Sequence, residues 1–146
     1  RMADNAEITR MVAANIVMGK LANSRLVMNR ATRDHGERID VASIKSASSS
    51  IDRLIEELPR AADIDEVRGI EGMAAAELAV HAYDLATGLG RSTDDLDPEV
   101  AETGHGFMTA SMTPEMRGGA FGPEQPAPAT ANAYERIAAF AGRRVA

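Results

Sequence analysis

Between Asp40 and Pro59 the apolar residues Val41, Ile44, Ala47, Ile51, Leu54, Ile55 and Leu58 recur at intervals of three and four. A half-buried strand would alternate every second residue, so this run specifies one apolar stripe on a helix of about 18 residues. Asp40 supplies a carboxylate for its first free backbone N–H groups, and Pro59 stops it. A chain with that stripe must set a second apolar surface against it, and the rest of the sequence offers only further helices. Asp4 is placed to cap a first helix reaching about Asp34, with His35-Gly36 as its stop. Its apolar positions Ile8, Met11, Val12, Ile16, Leu21 and Met28, widened by Val17, Met18 and Val27, predict a helix covered on more than one side. A third helix starts near Asp63 or Asp65 and ends at Gly88-Leu89-Gly90. Asp97-Pro98 opens a fourth, reaching about Met112, because proline fits the first helical turn where no N–H is needed. Thr113-Pro114 begins a short turn, residues 117–129 form a Gly/Pro-rich loop, and a last helix begins near Thr130 and ends at Gly142. The expected fold is all-α: a bundle of about five helices with that loop before the last.

Composition narrows the chemistry. With no cysteine among 146 residues there are no thiolate ligands, so any metal must be held by oxygen or imidazole. Aromatic content is 3% without tryptophan, while methionine and alanine are plentiful, which suits a soft helical core. No apolar run approaches the ~20 residues that span a bilayer, so no membrane partner is expected and a cytoplasmic location is the default reading. Arg1 ahead of Met2 reads as a trimmed or open-ended fragment. The net charge of −6 divides unevenly: residues 1–72 hold 11 Lys/Arg against 12 Asp/Glu, and residues 73–146 hold 5 against 10. The acidic second half argues against nucleic acid there, whereas the near-neutral first half leaves it open.

Residues 68–84 carry two candidate metal half-sites on one helix. Glu77 and His81 are four residues apart and project from the same face, with Asp84 close to that stripe. Glu71 stands between Gly69 and Gly72, and about 80° around the helix from His81. Each glycine costs a helix about 1 kcal/mol relative to alanine, so the pair suggests a close helix crossing or a functional demand. His105, on the next helix, is a further candidate ligand, and His35 at a helix end suits a surface role. The methionines read as core fillers.

Residues 4–76 resemble the helical C-terminal domain of the CRISPR adaptation integrase, a metal-dependent nuclease-like protein that inserts new spacers, the subtype I-C form most closely. The residues carrying the likeness are Gly19-Lys20-Leu21-Ala22-Asn23-Ser24-Arg25, Arg30-Ala31-Thr32-Arg33-Asp34-His35, Ile39-Asp40-Val41, Lys45, and Arg68-Gly69-Ile70-Glu71-Gly72 with Ala74-Ala75. The resemblance implies that Glu71 is a ligand for Mg or Mn, and that Lys20, Arg25, Arg30 and Arg33 along the first helix contact DNA phosphates. The family's N-terminal β-rich domain is missing, as are the histidine and aspartate it supplies downstream to the same metal. One carboxylate is too few for a hard cation, so strand transfer by this chain alone is not expected.

Residues 74–146 are similar to a second family, the mycothiol-dependent maleylpyruvate isomerase-like proteins among the DinB-like metal-binding bundles. The likeness runs through Glu77-Leu78-Ala79-Val80-His81-Ala82-Tyr83-Asp84, Asp95-Leu96-Asp97-Pro98, Arg117-Gly118-Gly119-Ala120-Phe121-Gly122-Pro123, and Arg136 to Arg144. It implies a zinc site at Glu77 and His81, with Asp84 a further candidate, and a mycothiol cofactor whose thiol the metal would activate. The family's third ligand, a histidine on an earlier helix, is missing. The chain therefore looks like a chimera joined near residues 71–77: a gene fusion, a misassembled or frame-shifted reading, or an artificial recombinant. Three functions follow as expectations: a catalytically incomplete integrase-like module associated with metal and DNA, a DinB-like metal-binding protein, or an inactive helical chimera. Faces that have lost their packing partners point to a homodimer.

Overall fold

A computed structural model describes residues 2–118 and 121–145, with the side chains of residues 2–4 outside that description. Five α-helices account for most of it: α1 (Met2–His35), α2 (Val41–Glu57), α3 (Ile64–Leu89), α4 (Pro98–Ser111) and α5 (Ala133–Phe140). Single 3-10 turns at Leu58–Arg60 and Pro114–Met116 follow α2 and α4. Among the described residues there is no strand, only an isolated bridge between Arg117 and Phe121 inside the Gly/Pro-rich loop. The all-α expectation is met.

Local chemistry explains most helix ends. Asp40 accepts a hydrogen bond from Ser43 N–H at the start of α2. Asp63 accepts from both Asp65 and Glu66 N–H at the start of α3, and Asp97 from Glu99 N–H beside Pro98 at the start of α4. Gly90 and Gly142 close α3 and α5 with φ of 67° and 93°, the left-handed conformation that lacks a steric penalty only for glycine. Two ends differ from expectation. The first helix begins at Met2, upstream of the Asp4 expected to cap it, and the Asp4 side chain lies outside the described residues. The last helix begins at Ala133 instead of Thr130, because Asn132 and Glu135 form a reciprocal capping box: Asn132 Oδ1 accepts from Glu135 N–H and Glu135 Oε2 accepts from Asn132 N–H.

The chain divides into two compact units, Arg1–Ala74 and Ala75–Ala146. In the first, α1 and α2 form an antiparallel hairpin, shown by cross-contacts whose sequence separation shrinks towards the turn. Arg10 Nη1 donates to Ala61 O at 3.0 Å, the Arg25 guanidinium pairs with the Asp52 carboxylate, and Ser48 Oγ donates to Asn29 Oδ1 at 3.1 Å. Ala14, Val17, Leu21 and Met28 of α1 are buried with Ile44, Ala47, Ile51, Leu54 and Leu58. This corrects the expectation that α1 is covered on more than one side: Ile8, Met11, Val12, Ile16, Leu26 and Val27 are all at least half exposed. The apolar spread around α1 exceeds what one partner helix can cover.

The second unit packs the C-terminal part of α3 with α4 and α5. Its core joins Ala76, Ala79, Val80, Ala101, Met108, Tyr134 and Ile137, with Phe107, Phe121 and Phe140 against its edge. Gly104 makes the closest approach: a Cβ there would meet Ala76 N at 2.6 Å, so only glycine lets α4 lie on the α3 backbone.

Candidate functional site

In the first unit, the four cations on α1 do not act as one row. At 100° per residue, Arg30 and Arg33 stand about 60° apart and Lys20 about 80° from Arg30, whereas Arg25 points about 140° away from both Lys20 and Arg30. Arg25 accordingly faces α2 and is held by Asp52. Lys20, Arg30 and Arg33 are exposed. Arg33 Nε reaches its neighbour Asp34 Oδ1 at 2.9 Å, a water-exposed pair that a phosphate can displace at little energetic cost. His35 is exposed at the end of α1, as expected.

Glu71 is exposed on α3. Its neighbour Gly69 has open space where a Cβ would stand, so a close helix crossing does not explain that glycine. Arg68 pairs instead with Asp65 one turn back, at 3.1 Å. Among the described residues, no three His, Asp or Glu side chains are arranged to hold a metal ion, around Glu71 or elsewhere.

In the second unit, α3 brings Glu77, His81 and Asp84 together as their spacing predicts. His81 Nε2 lies 3.4 Å from Glu77 Oε2, and His81 Nδ1 lies 3.1 Å from Asp84 Oδ2. The second contact is out of line for a hydrogen bond, leaving chiefly charge attraction. Arg143, which sequence reasoning missed as part of this cluster, completes it. Its Nη2 and Nε donate to the two oxygens of Asp84 at 3.0 and 3.3 Å, a bidentate pair. Arg143 stands 59 residues from Asp84, and the turn at Gly142 carries it back to α3. No local spacing rule could have found it.

The electrostatics follow from this order. Burial disfavours the charged imidazole of His81, but contact with Asp84 and Glu77 outweighs it and its pKa is pushed up to about 9. Burial would likewise raise Asp84, yet His81 and Arg143 hold its carboxyl below the ordinary carboxylate value. The cluster is thus a chain of alternating charge, Glu77–His81–Asp84–Arg143, with a carboxylate at each imidazole nitrogen. His105 does not join it: its ring packs edge-on against Phe140 at 5.2 Å, and the Arg117 guanidinium sits 4.8 Å from the same Phe140 ring centre. Gly119 and Ala120 of the loop motif lie outside the described residues.

The model of the CRISPR associated protein Cas1 family matches residues 1–78, which covers α1, α2 and the first part of α3. The CRISPR-associated endonuclease Cas1 1 of Chlorobaculum tepidum is 43% identical over 75 residues, 51% of this chain and 22% of that protein. The CRISPR-associated endonuclease Cas1 2 of Rhodospirillum rubrum is 35% identical over 75 residues, 49% of this chain and 22% of that protein. An uncharacterized protein of Mycobacterium tuberculosis is 38% identical over 76 residues, 51% of this chain and 41% of that protein. No solved structure matches significantly. The chain thus spans about a fifth of the length of these Cas1 relatives. Since the match to the family model takes in more than half of its residues, the chain belongs to the Cas1 family.

Proposed function

We propose that the chain is a CRISPR-associated, integrase-like helical module that associates with DNA through the exposed face of α1 and is catalytically incomplete by itself. The observation that carries this reading is the placement of Lys20, Arg30 and Arg33 on the water-facing side of α1, within the family-matched segment. Long flexible cations on a rigid helix can neutralise backbone phosphates and release their counter-ions without reading sequence. Arg25, tied to Asp52, is assigned to holding the hairpin together.

The incompleteness rests on Glu71. Under the integrase likeness it would be one oxygen ligand to Mg or Mn, but a hard cation needs several oxygens, and among the described residues no set of three His, Asp or Glu side chains forms a site for one. The residues present do not fit a working metal centre. No chemical step is assigned to it.

Measuring the affinity of the full chain for duplex DNA across a salt series tests the reading. Three phosphate contacts give a slope of about −3 in log affinity against log salt. Salt-independent binding, or no binding at low salt, contradicts it.

A second reading attaches to the other unit, because Glu77 and Asp84 both contact His81, one at each ring nitrogen. A DinB-like zinc site at Glu77 and His81, with mycothiol as thiol cofactor, would use two of these three groups. Zinc binding requires a neutral imidazole, so the ion would have to displace both the proton and a carboxylate contact of His81. Zn²⁺ titration tests this: near-stoichiometric uptake with proton release, abolished in His81→Ala, supports the site, and undiminished uptake in that variant removes it.

A further inference from the structure

Residues 122–128 of the second unit, Gly-Pro-Glu-Gln-Pro-Ala-Pro, form neither helix nor strand. Their chemistry nonetheless constrains their path. Pro123, Pro126 and Pro128 each hold φ near about −65° and lack an N–H, and each disfavours the α-helical conformation in the residue before it. Only Glu124 escapes both constraints. The conformation left is the extended polyproline II helix, with about three residues per turn. Burial follows that period: Gly122 and Gln125 are half-buried, while Pro123, Glu124, Pro126 and Ala127 are exposed. The half-buried pair also ties the segment down. Gly122 O accepts from Arg117 Nη1 at 3.0 Å, and Gln125 N–H donates to Ala139 O at 2.9 Å. A three-residue repeat held along one edge turns the next edge to water, with Pro123 and Pro126 about 9 Å apart along it. Stiffness alone is indifferent to which edge the rings occupy.

We infer that the Pro123/Pro126 edge is a docking strand for a partner domain that presents a shallow aromatic-lined groove with a cation beside it. Proline pairs at this spacing seat between the aromatic rings of such grooves, which recognise a polyproline II helix already formed. The anchors at Gly122 and Gln125 hold the strand in place before binding, so little ordering entropy is lost on docking. Glu124 specifies the cation. Its carboxylate is mostly exposed and only loosely held, 3.9 Å from Arg117 Nη2, so it remains open to a lysine or arginine at the groove's rim. The strand belongs to the unit that the DNA reading does not use, and the inference is independent of it.

Titration of the full ¹⁵N-labelled chain with two purified probes tests it: an SH3 domain with acidic residues beside its aromatic groove, and the same domain with those residues replaced by lysine. The lysine-bearing probe should bind saturably with a Kd below about 1 mM, shifting amide signals chiefly within residues 121–130. The acidic probe should bind several-fold more weakly, and Glu124→Lys should reverse that order without touching a proline. Moving one ring off the edge, in Pro126→Ala/Ala127→Pro, keeps the number of prolines and their stiffness. That variant should lose about tenfold or more in affinity while its helical circular dichroism stays that of the parent, since both positions are exposed. Failure of both probes to bind, shifts centred outside the strand, or affinity unchanged in the moved-proline variant would overturn the inference. So would a preference between the probes that Glu124→Lys leaves as it was.

Discussion

In the unit Arg1–Ala74, α1 buries Ala14, Val17, Leu21 and Met28 and leaves larger side chains such as Ile16, Leu26 and Val27 in water. In the unit Ala75–Ala146 the pattern reverses. Among its described residues only Leu96 and Met116 are large exposed apolar side chains, while Ile137 and Ala101 are completely buried. All five aromatic residues of the chain lie in this second half, where Phe107, Phe121, Tyr134 and Phe140 pack in or against a core rich in small alanines. The first unit, the α1–α2 hairpin with the start of α3, has surface left over. The second closes its own core through a backbone contact at Gly104 and a charged clasp from α3 to the segment after α5. An unfinished surface is where partners bind, and a closed core is where stability is lost on mutation.

Several substitutions test this contrast, the first with the largest effect. Gly104→Leu should destabilise by more than about 3 kcal/mol, since any Cβ meets the Ala76 backbone. Gly69→Ala, in the first unit's part of α3, should stabilise by up to about 1 kcal/mol because its surroundings are open. Denaturant unfolding followed by circular dichroism compares them, and equal effects would contradict the difference in closure. Ile137→Ala should cost about 2–5 kcal/mol in the same assay, whereas Ile16→Ala on the exposed face of α1 should cost well under about 1 kcal/mol.

The charged clasp predicts a pH dependence confined to the second unit. His81 has a folded pKa of about 9 against an ordinary 6.5, so its contribution is complete below pH 6.5 and is lost as pH rises through 9. Asp84 is shifted downward, so its contribution is present above its ordinary 3.8 and lost as pH falls further. The clasp is therefore strongest between those ordinary values. At pH 6, His81→Ala should cost about 1–3 kcal/mol, and that difference should shrink towards pH 10. A cost unchanged across this range would show that His81 acts by packing instead of charge. Arg25→Ala should cost only about 1 kcal/mol, because its pair with Asp52 is partly open to water.

Much of this was legible in the sequence, for physical reasons. The 3/4 spacing of α2 and the caps at Asp40 and Asp97 act over one helical turn, so they can be read from neighbouring residues. The Glu77–His81–Asp84 grouping was visible for the same reason. Arg143 was not, because its meeting with Asp84 depends on the whole path from α4 to α5. The cover on α1 was misread because apolar residues show what a helix can bury, while the number of partner helices decides what it does bury. The start of α5 was misplaced because Asn132 and Glu135, not Thr130, answer each other's backbone groups.

The nucleic-acid reading ties the open half of the molecule to its Cas1 membership, and one comparison of charges tests it most directly. DNA affinity of the full chain at low salt would be measured for a Lys20→Ala/Arg30→Ala variant and for an Arg91→Ala/Arg144→Ala variant, all four residues being exposed. The first should lose about tenfold or more in affinity and about two units of salt slope. The second should bind as the parent chain does. Equal losses, or a loss only in the second variant, would contradict the assignment of DNA to α1.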